Sequence, residues 1–274
     1  MDLVLLAVAA VWGGATGLLI PRAAYRFAVE PEEPWRTACP AGHAFTGPFG
    51  GWWGPARCTS CASRAQTSVR YGDEAEARVP RGEEAEGDKR PTPLPYAPGA
   101  LAPLVTALAC VALAAATGPR PELVGWLFLA PPAVLLATVD RRVHRLPDPL
   151  TLPLAAAAVL LLGGAALLPG HAGSWTSGLL GGLVLGGFYL LLFLVNPNGM
   201  GFGDVKLALA LGVALGWYGW EVLFLGGFAG FLFGAAYGLG LVVLRRAGRG
   251  TAIPFGPFMI AGALTGVLLG ALTA

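Results

Sequence analysis

Charge is scarce in this chain of 274 residues: Asp, Glu, Lys and Arg together make up 12%, against 55% hydrophobic residues. A soluble domain carries about 25% charged residues, so the composition excludes an ordinary water-exposed surface and is that of a multi-spanning membrane protein. The net charge of +2 is small, and its basic residues gather into no stripe that could follow a phosphate backbone, which sets nucleic acid aside as a partner. No nucleotide-type glycine loop is visible. Acids and bases are almost missing from the middles of the apolar runs. A proton- or ion-coupled transporter needs such groups along its path, so that alternative is disfavoured. Cysteine is sparse as well. Cys39, Cys58 and Cys61 sit in a polar segment near His43, a spacing that suggests a metal site more than a disulfide framework. Cys110 lies in an apolar run and reads as a small packing residue.

Long apolar runs are plentiful. Stretches able to cross about 30 Å of hydrocarbon fall at 3 to 20, 100 to 117, 122 to 139, 150 to 168, 175 to 195, 205 to 219, 221 to 244 and 253 to 272. The fold expected is all-α and polytopic with about eight transmembrane helices, the sixth being the weakest. One set of loops holds Arg22, Arg26 and Arg36, then Arg141, Arg142 and Arg145, then Lys206, then Arg245, Arg246 and Arg249, while the other holds little beyond Arg120 and His171. By the bias of Lys and Arg toward the cytoplasm, the first set is cytoplasmic and both termini lie outside. The N-terminal run opens MDLVLL, without a basic n-region, so it reads as a retained first span and not as a cleavable signal.

The organisation expected is a first transmembrane helix (1–20), a cytoplasmic Cys/His domain (21–71), a charged Pro-rich tether (72–99) and a seven-helix membrane domain (100–274). The tether has too little apolar content to fold alone. Glycine recurs every fourth residue at Gly178, Gly182 and Gly186, at Gly226, Gly230, Gly234 and Gly238, and at Gly262, Gly266 and Gly270. Such stripes let neighbouring helix backbones approach closely and read as packing seams.

Two acids fall at the cytoplasmic edges of two spans. Asp140 ends the third in LLATVDRRVHRLPDPLTLPL, and Asp204 opens the sixth in GMGFGDVKLALALG. If they meet, the pair can hold a shared proton near neutral pH, and one can act as base toward a water while the other protonates a scissile carbonyl. Gly201 and Gly203 would let a substrate segment pass close beside Asp204. Lys206 reads as a membrane-edge anchor or a charge partner for a phosphate headgroup. An ion pair with Arg141 and Arg142 is the structural alternative for Asp140, and helix capping accounts for Asp148.

Three segments, VDRRVHRLPDPLTLPL, MGFGDVKLALALG and IPFGPFMIAGAL at 253 to 264, resemble those of the type IV prepilin peptidases, which are membrane aspartyl proteases. The resemblance implies that Asp140 and Asp204 are the catalytic pair. It implies a substrate, the type IV prepilins or the pseudopilins of type II secretion, whose short basic leader is cut after a glycine at the cytoplasmic edge of a bacterial inner membrane. A scaffold without catalysis would explain the Cys/His loop but not the paired acids.

In many family members the loop after the first span carries two Cys-x-x-Cys pairs that bind zinc. Here the second pair is Cys58-Thr-Ser-Cys61 and the first is replaced by Cys39-Pro-Ala-Gly-His43. Three thiolates and an imidazole suit tetrahedral zinc, which could staple a segment too small for a core. Bacterial members often also methylate the new N-terminus with S-adenosylmethionine. Here SVRYGDEAEARVP begins like the family's segment and then runs into the charged tether, which leaves that activity open.

Overall fold

The computed structural model describes residues 2–30, 32–58, 60–61, 99–197, 199–244 and 253–274. Residues 72–98 of the expected tether, the SVRYGDEAEARVP segment and Arg245, Arg246 and Arg249 lie outside the described residues. The described chain is all-helical, apart from an isolated bridge between Ala38 and Ala44. Its helices of eight residues or more are α1 (Leu3–Gly17), α2 (Ile20–Phe27), α3 (Leu101–Thr117), α4 (Glu122–Val143), α5 (Asp148–Ala166), α6 (Trp175–Val195), α7 (Phe202–Gly216), α8 (Trp220–Val243) and α9 (Gly256–Thr273).

Among the described residues, six segments are long and apolar enough to cross a membrane: Leu3–Phe27, which joins α1 and α2, and α4, α5, α6, α8 and α9. The remaining two of the eight expected spans are short helices, α3 with 17 residues and α7 with 15. At 1.5 Å per residue α7 is only about 22 Å long. Length alone therefore does not fix a count of eight. The chain is a multi-pass membrane protein.

Helix α7 is the hub, packed against α5, α6, α8 and α9. Ten of its fifteen residues are buried, from Asp204 to Gly216. On α8, by contrast, only Leu223, Gly226 and Gly230 are buried, because its large side chains, such as Phe224, Phe228 and Leu239, point outward. An outward apolar face is what lipid solvates. The glycine stripes form the seams between these helices. A Cβ on Gly182 of α6 would stand 3.1 Å from the Leu209 carbonyl of α7, and one on Gly262 of α9 would stand 2.6 Å from the Gly226 carbonyl of α8. Backbones at that separation leave no room for a side chain.

The loop after α2 is tied down by arginines. Arg22 Nη2 donates to the Thr46 carbonyl at 2.8 Å, and Arg26 donates through Nε to Arg36 at 2.9 Å and through Nη1 to Gly50 at 3.1 Å. The Arg26 guanidinium also lies 3.7 Å from the centre of the Trp52 ring, a cation–π contact. Both side chains are buried. In sequence they look like topology-setting charges, but in the fold they are the core of the loop.

Candidate active site

Asp140 lies in the last turn of α4 and Asp204 in the first turn of α7. Both helices run further than the apolar pattern indicates, so each acid is inside its helix and not at the tip. Asp140 is 4% exposed and Asp204 8%. Burying a carboxylate this deeply is costly without partners, so what surrounds each one matters.

Asp140 Oδ2 accepts the backbone N–H of Gly256 at 2.9 Å, at the start of α9, where the helix dipole favours negative charge. Its own carbonyl accepts the N–H of His144 at 2.8 Å. His144 ends α4 in the left-handed conformation, φ 50°, and turns the chain toward the buried Leu146. A Cβ on Gly256 would stand 2.8 Å from Asp140 Oδ2. Only a glycine admits the carboxylate there.

Asp204 is the third residue of its helix, and its N–H donates to the Gly201 carbonyl at 3.0 Å. A Cβ on Gly201 would lie 3.7 Å from Asp204 Oδ2 with little else near it, whereas one on Gly203 would lie 2.8 Å from the Leu146 Cβ. Gly201 is thus the open neighbour of Asp204, and Gly203 is the seat of Leu146. The two carboxylates interact electrostatically, and Asp204 also acts on the buried Tyr189. Tyr189 stacks with Phe231 and lies near Phe255, forming an aromatic floor. Among the described residues no Lys or Arg pairs with either aspartate.

Lys206 instead meets Asp148 at 2.6 Å and lies over the Phe202 ring. This replaces the helix-cap expectation for Asp148, which caps through no side-chain hydrogen bond. Nor does Asp140 pair with Arg141 or Arg142. Sequence reasoning did not single out Gly256, Leu146 or Tyr189. The available signal was the Gly-Pro step that opens α9, which combines space with a free helix N-terminus.

The four residues Cys39, His43, Cys58 and Cys61 converge, their ligand atoms all within 4.8 Å of one another. His43 Nδ1 lies 3.5 Å from Cys39 Sγ, 3.6 Å from Cys58 Sγ and 3.3 Å from Cys61 Sγ. Cys39 Sγ and Cys61 Sγ are 3.8 Å apart. The Cys61 backbone N–H lowers the Cys58 thiol below the usual range, while hydrogen bonding to Cys58 holds Cys61 up at about 11. The group could hold a metal ion.

A bundle with two buried aspartates, neither paired with a Lys or Arg among the described residues, at one end and a Cys/His cluster in the loop after α2 defines a class of multi-pass membrane protein. The model of the Type IV leader peptidase family matches residues 127–272. That is more than half of the chain, which belongs to this family. The prepilin leader peptidase/N-methyltransferase of Aeromonas hydrophila is 39% identical over 163 residues, 58% of this chain and 54% of that protein. The protein of that name in Pseudomonas aeruginosa is 37% identical over 132 residues, 45% of this chain and 42% of its own. The one in Burkholderia pseudomallei is 35% identical over 184 residues, 63% of this chain and 56% of its own. The chain thus spans about half the length of the curated relatives it matches. No solved structure matches it.

Proposed function

We propose that the chain is a membrane aspartyl endopeptidase that removes the basic leader of type IV prepilins or pseudopilins, cutting after a glycine at the cytoplasmic edge of a bacterial inner membrane. What supports this reading is the pair of buried aspartates, one on α4 and one on α7, whose charges act on each other while no Lys or Arg among the described residues pairs with either. One carboxylate takes a proton from water as the oxygen attacks the scissile carbonyl. The other gives its proton to the carbonyl oxygen. Collapse of the tetrahedral species breaks the C–N bond and the amine leaves protonated. The Gly256 N–H fixes the Asp140 carboxylate through this cycle, and the open side at Gly201 is where substrate backbone approaches Asp204.

The proposal extends to the eight-span topology with both termini outside, in which α3 and α7 also cross. It includes the division at 1–20, 21–71, 72–99 and 100–274. A buried helix such as α7 need not match the lipid thickness, because its neighbours and not lipid surround it.

Zinc is the metal proposed for the Cys/His group. Ligand bonds of about 2.3 Å to sulfur and about 2.0 Å to nitrogen set tetrahedral edges of about 3.8 Å between sulfurs and about 3.5 Å between sulfur and nitrogen, close to the spacings here. Bound there, zinc would staple the loop. Chelation, or acid that protonates the thiolates, is expected to melt the loop around Trp52 and leave the helical bundle standing. Tryptophan fluorescence and far-ultraviolet circular dichroism measure the two separately, and an unchanged loop would refute the metal.

The cytoplasmic segment to which methylation with S-adenosylmethionine would be tied, SVRYGDEAEARVP, lies outside the described residues. Cleavage of a co-expressed prepilin by wild type, Asp140→Asn and Asp204→Asn, with membrane levels matched, tests the peptidase. Normal cleavage by either variant would refute the two-aspartate mechanism.

A further inference from the structure

A groove of about 620 Å³ lies between α3, α4 and α9, with α7 at its back and neither aspartate in its lining. Its walls are small and apolar, among them Ala130, Ala133 and Ala137 of α4 and Ala261 of α9. Its charges are gathered at one end. Arg141 and Arg142 line it there, beside Gly99, Leu101 and Pro257. Both arginines are exposed, and neither has a hydrogen-bond acceptor or an ion-pair partner among the described residues. The nearby carboxylates are engaged elsewhere, Asp140 with Gly256 and Asp148 with Lys206. Arg36 of the loop adds a further positive charge that acts on Arg142.

Size decides what the groove can enclose. Its lining on α4 runs from Trp126 to Arg142, about 24 Å at 1.5 Å per residue. Spread over that length, the volume gives a mean cross-section of about 26 Å². A helix with side chains is about 10–12 Å across, about 80–110 Å² in section, and does not fit inside. A single extended hydrocarbon chain does. Its headgroup would lie at the arginine end, where basic pockets between transmembrane helices favour anionic lipid.

We propose that this groove holds one acyl chain of an anionic phospholipid, with the lipid phosphate on Arg141 and Arg142. The site rests on the membrane placement of the helices and not on the peptidase reading.

Native mass spectrometry of the full chain in mild detergent, titrated with phosphatidylglycerol and with phosphatidylcholine of identical acyl chains, tests this. Wild type is expected to retain one phosphatidylglycerol in preference to phosphatidylcholine, by about fivefold for each arginine. Arg141→Gln with Arg142→Gln should bring the two lipids to near parity. Ala133→Phe with Ala137→Phe, which fills the groove, should abolish retention of both. The arginine variant alters only exposed side chains, so it remains informative if the filled variant fails to fold. Equal retention of the two lipids by wild type would overturn the site. So would an unchanged preference in the arginine variant, or undiminished binding in a folded, filled one. An apolar helical peptide that expels the lipid one for one would assign the groove to a helix and overturn the proposal as well.

Discussion

Helix α4 carries a buried acid at each end, and the two are kept differently. Glu122, at its first turn, is fully buried. Its Oε1 accepts the Ala172 N–H at 3.3 Å and lies 3.8 Å from Arg120 Nε, while Oε2 has no donor among the described residues. Arg120 in turn donates to the carbonyls of Thr117 and Ala271, so this end of α4 joins the end of α9 through a cation. Asp140, at the other end, has one backbone N–H, another carboxylate and the nearby His144 for company, and no Lys or Arg paired to it among the described residues. A buried acid with a cation serves the fold. One held beside a like charge is a poor way to stabilise anything, and a good way to keep a base and an acid within reach of one bond.

The largest effects should separate the two ends. Asp140→Asn and Asp204→Asn are expected to lower prepilin cleavage by about 10²–10⁴-fold, the usual share of an acid–base group, with the melting temperature kept or raised. Gly256→Ala comes next. Its new Cβ would sit 2.8 Å from Asp140 Oδ2 and displace the carboxylate, so cleavage should fall more than stability does, as read from parallel activity and melting curves. Glu122→Gln reverses the pattern. Weakening a buried hydrogen-bonded charge costs about 1–3 kcal/mol, so the protein should melt earlier and still cleave. If Glu122→Gln abolished cleavage in a folded protein, the contrast between the ends would fail. Smallest of all is Lys206→Gln. The partner Asp148 side chain is 59% exposed, and a pair of that kind contributes about 0–1 kcal/mol. A large loss of cleavage there would give Lys206 a role beyond pairing.

Much of this was legible in the sequence, because apolar runs and glycine stripes are local patterns. The membrane helices, the seams at Gly182 and Gly262 and the convergence of Cys39, His43, Cys58 and Cys61 follow from such patterns and from ligand chemistry. What stayed hidden was the pairing between helices. Nothing in the spacing links Asp140 to Gly256, or Asp148 to Lys206, because each contact joins helices whose facing is decided by packing. The arginines of α2 show the same limit: a count of charges places a loop on one side of a membrane but does not reveal that the guanidiniums are buried against its aromatic rings. Glu122 escaped notice because an acid at the start of a span looks like a boundary, and only the fold encloses it.

The glycine seam between α8 and α9 acts as an indexing mechanism. With Gly226 and Gly230 against Gly262 and Gly266, the two helices mesh backbone to backbone, and such teeth engage in few positions. A slip of one helical turn would carry Gly256 about 5.4 Å along the axis, far enough to part its N–H from Asp140. The alignment of the aspartate pair is therefore set along the whole length of α9, by residues that never come near it.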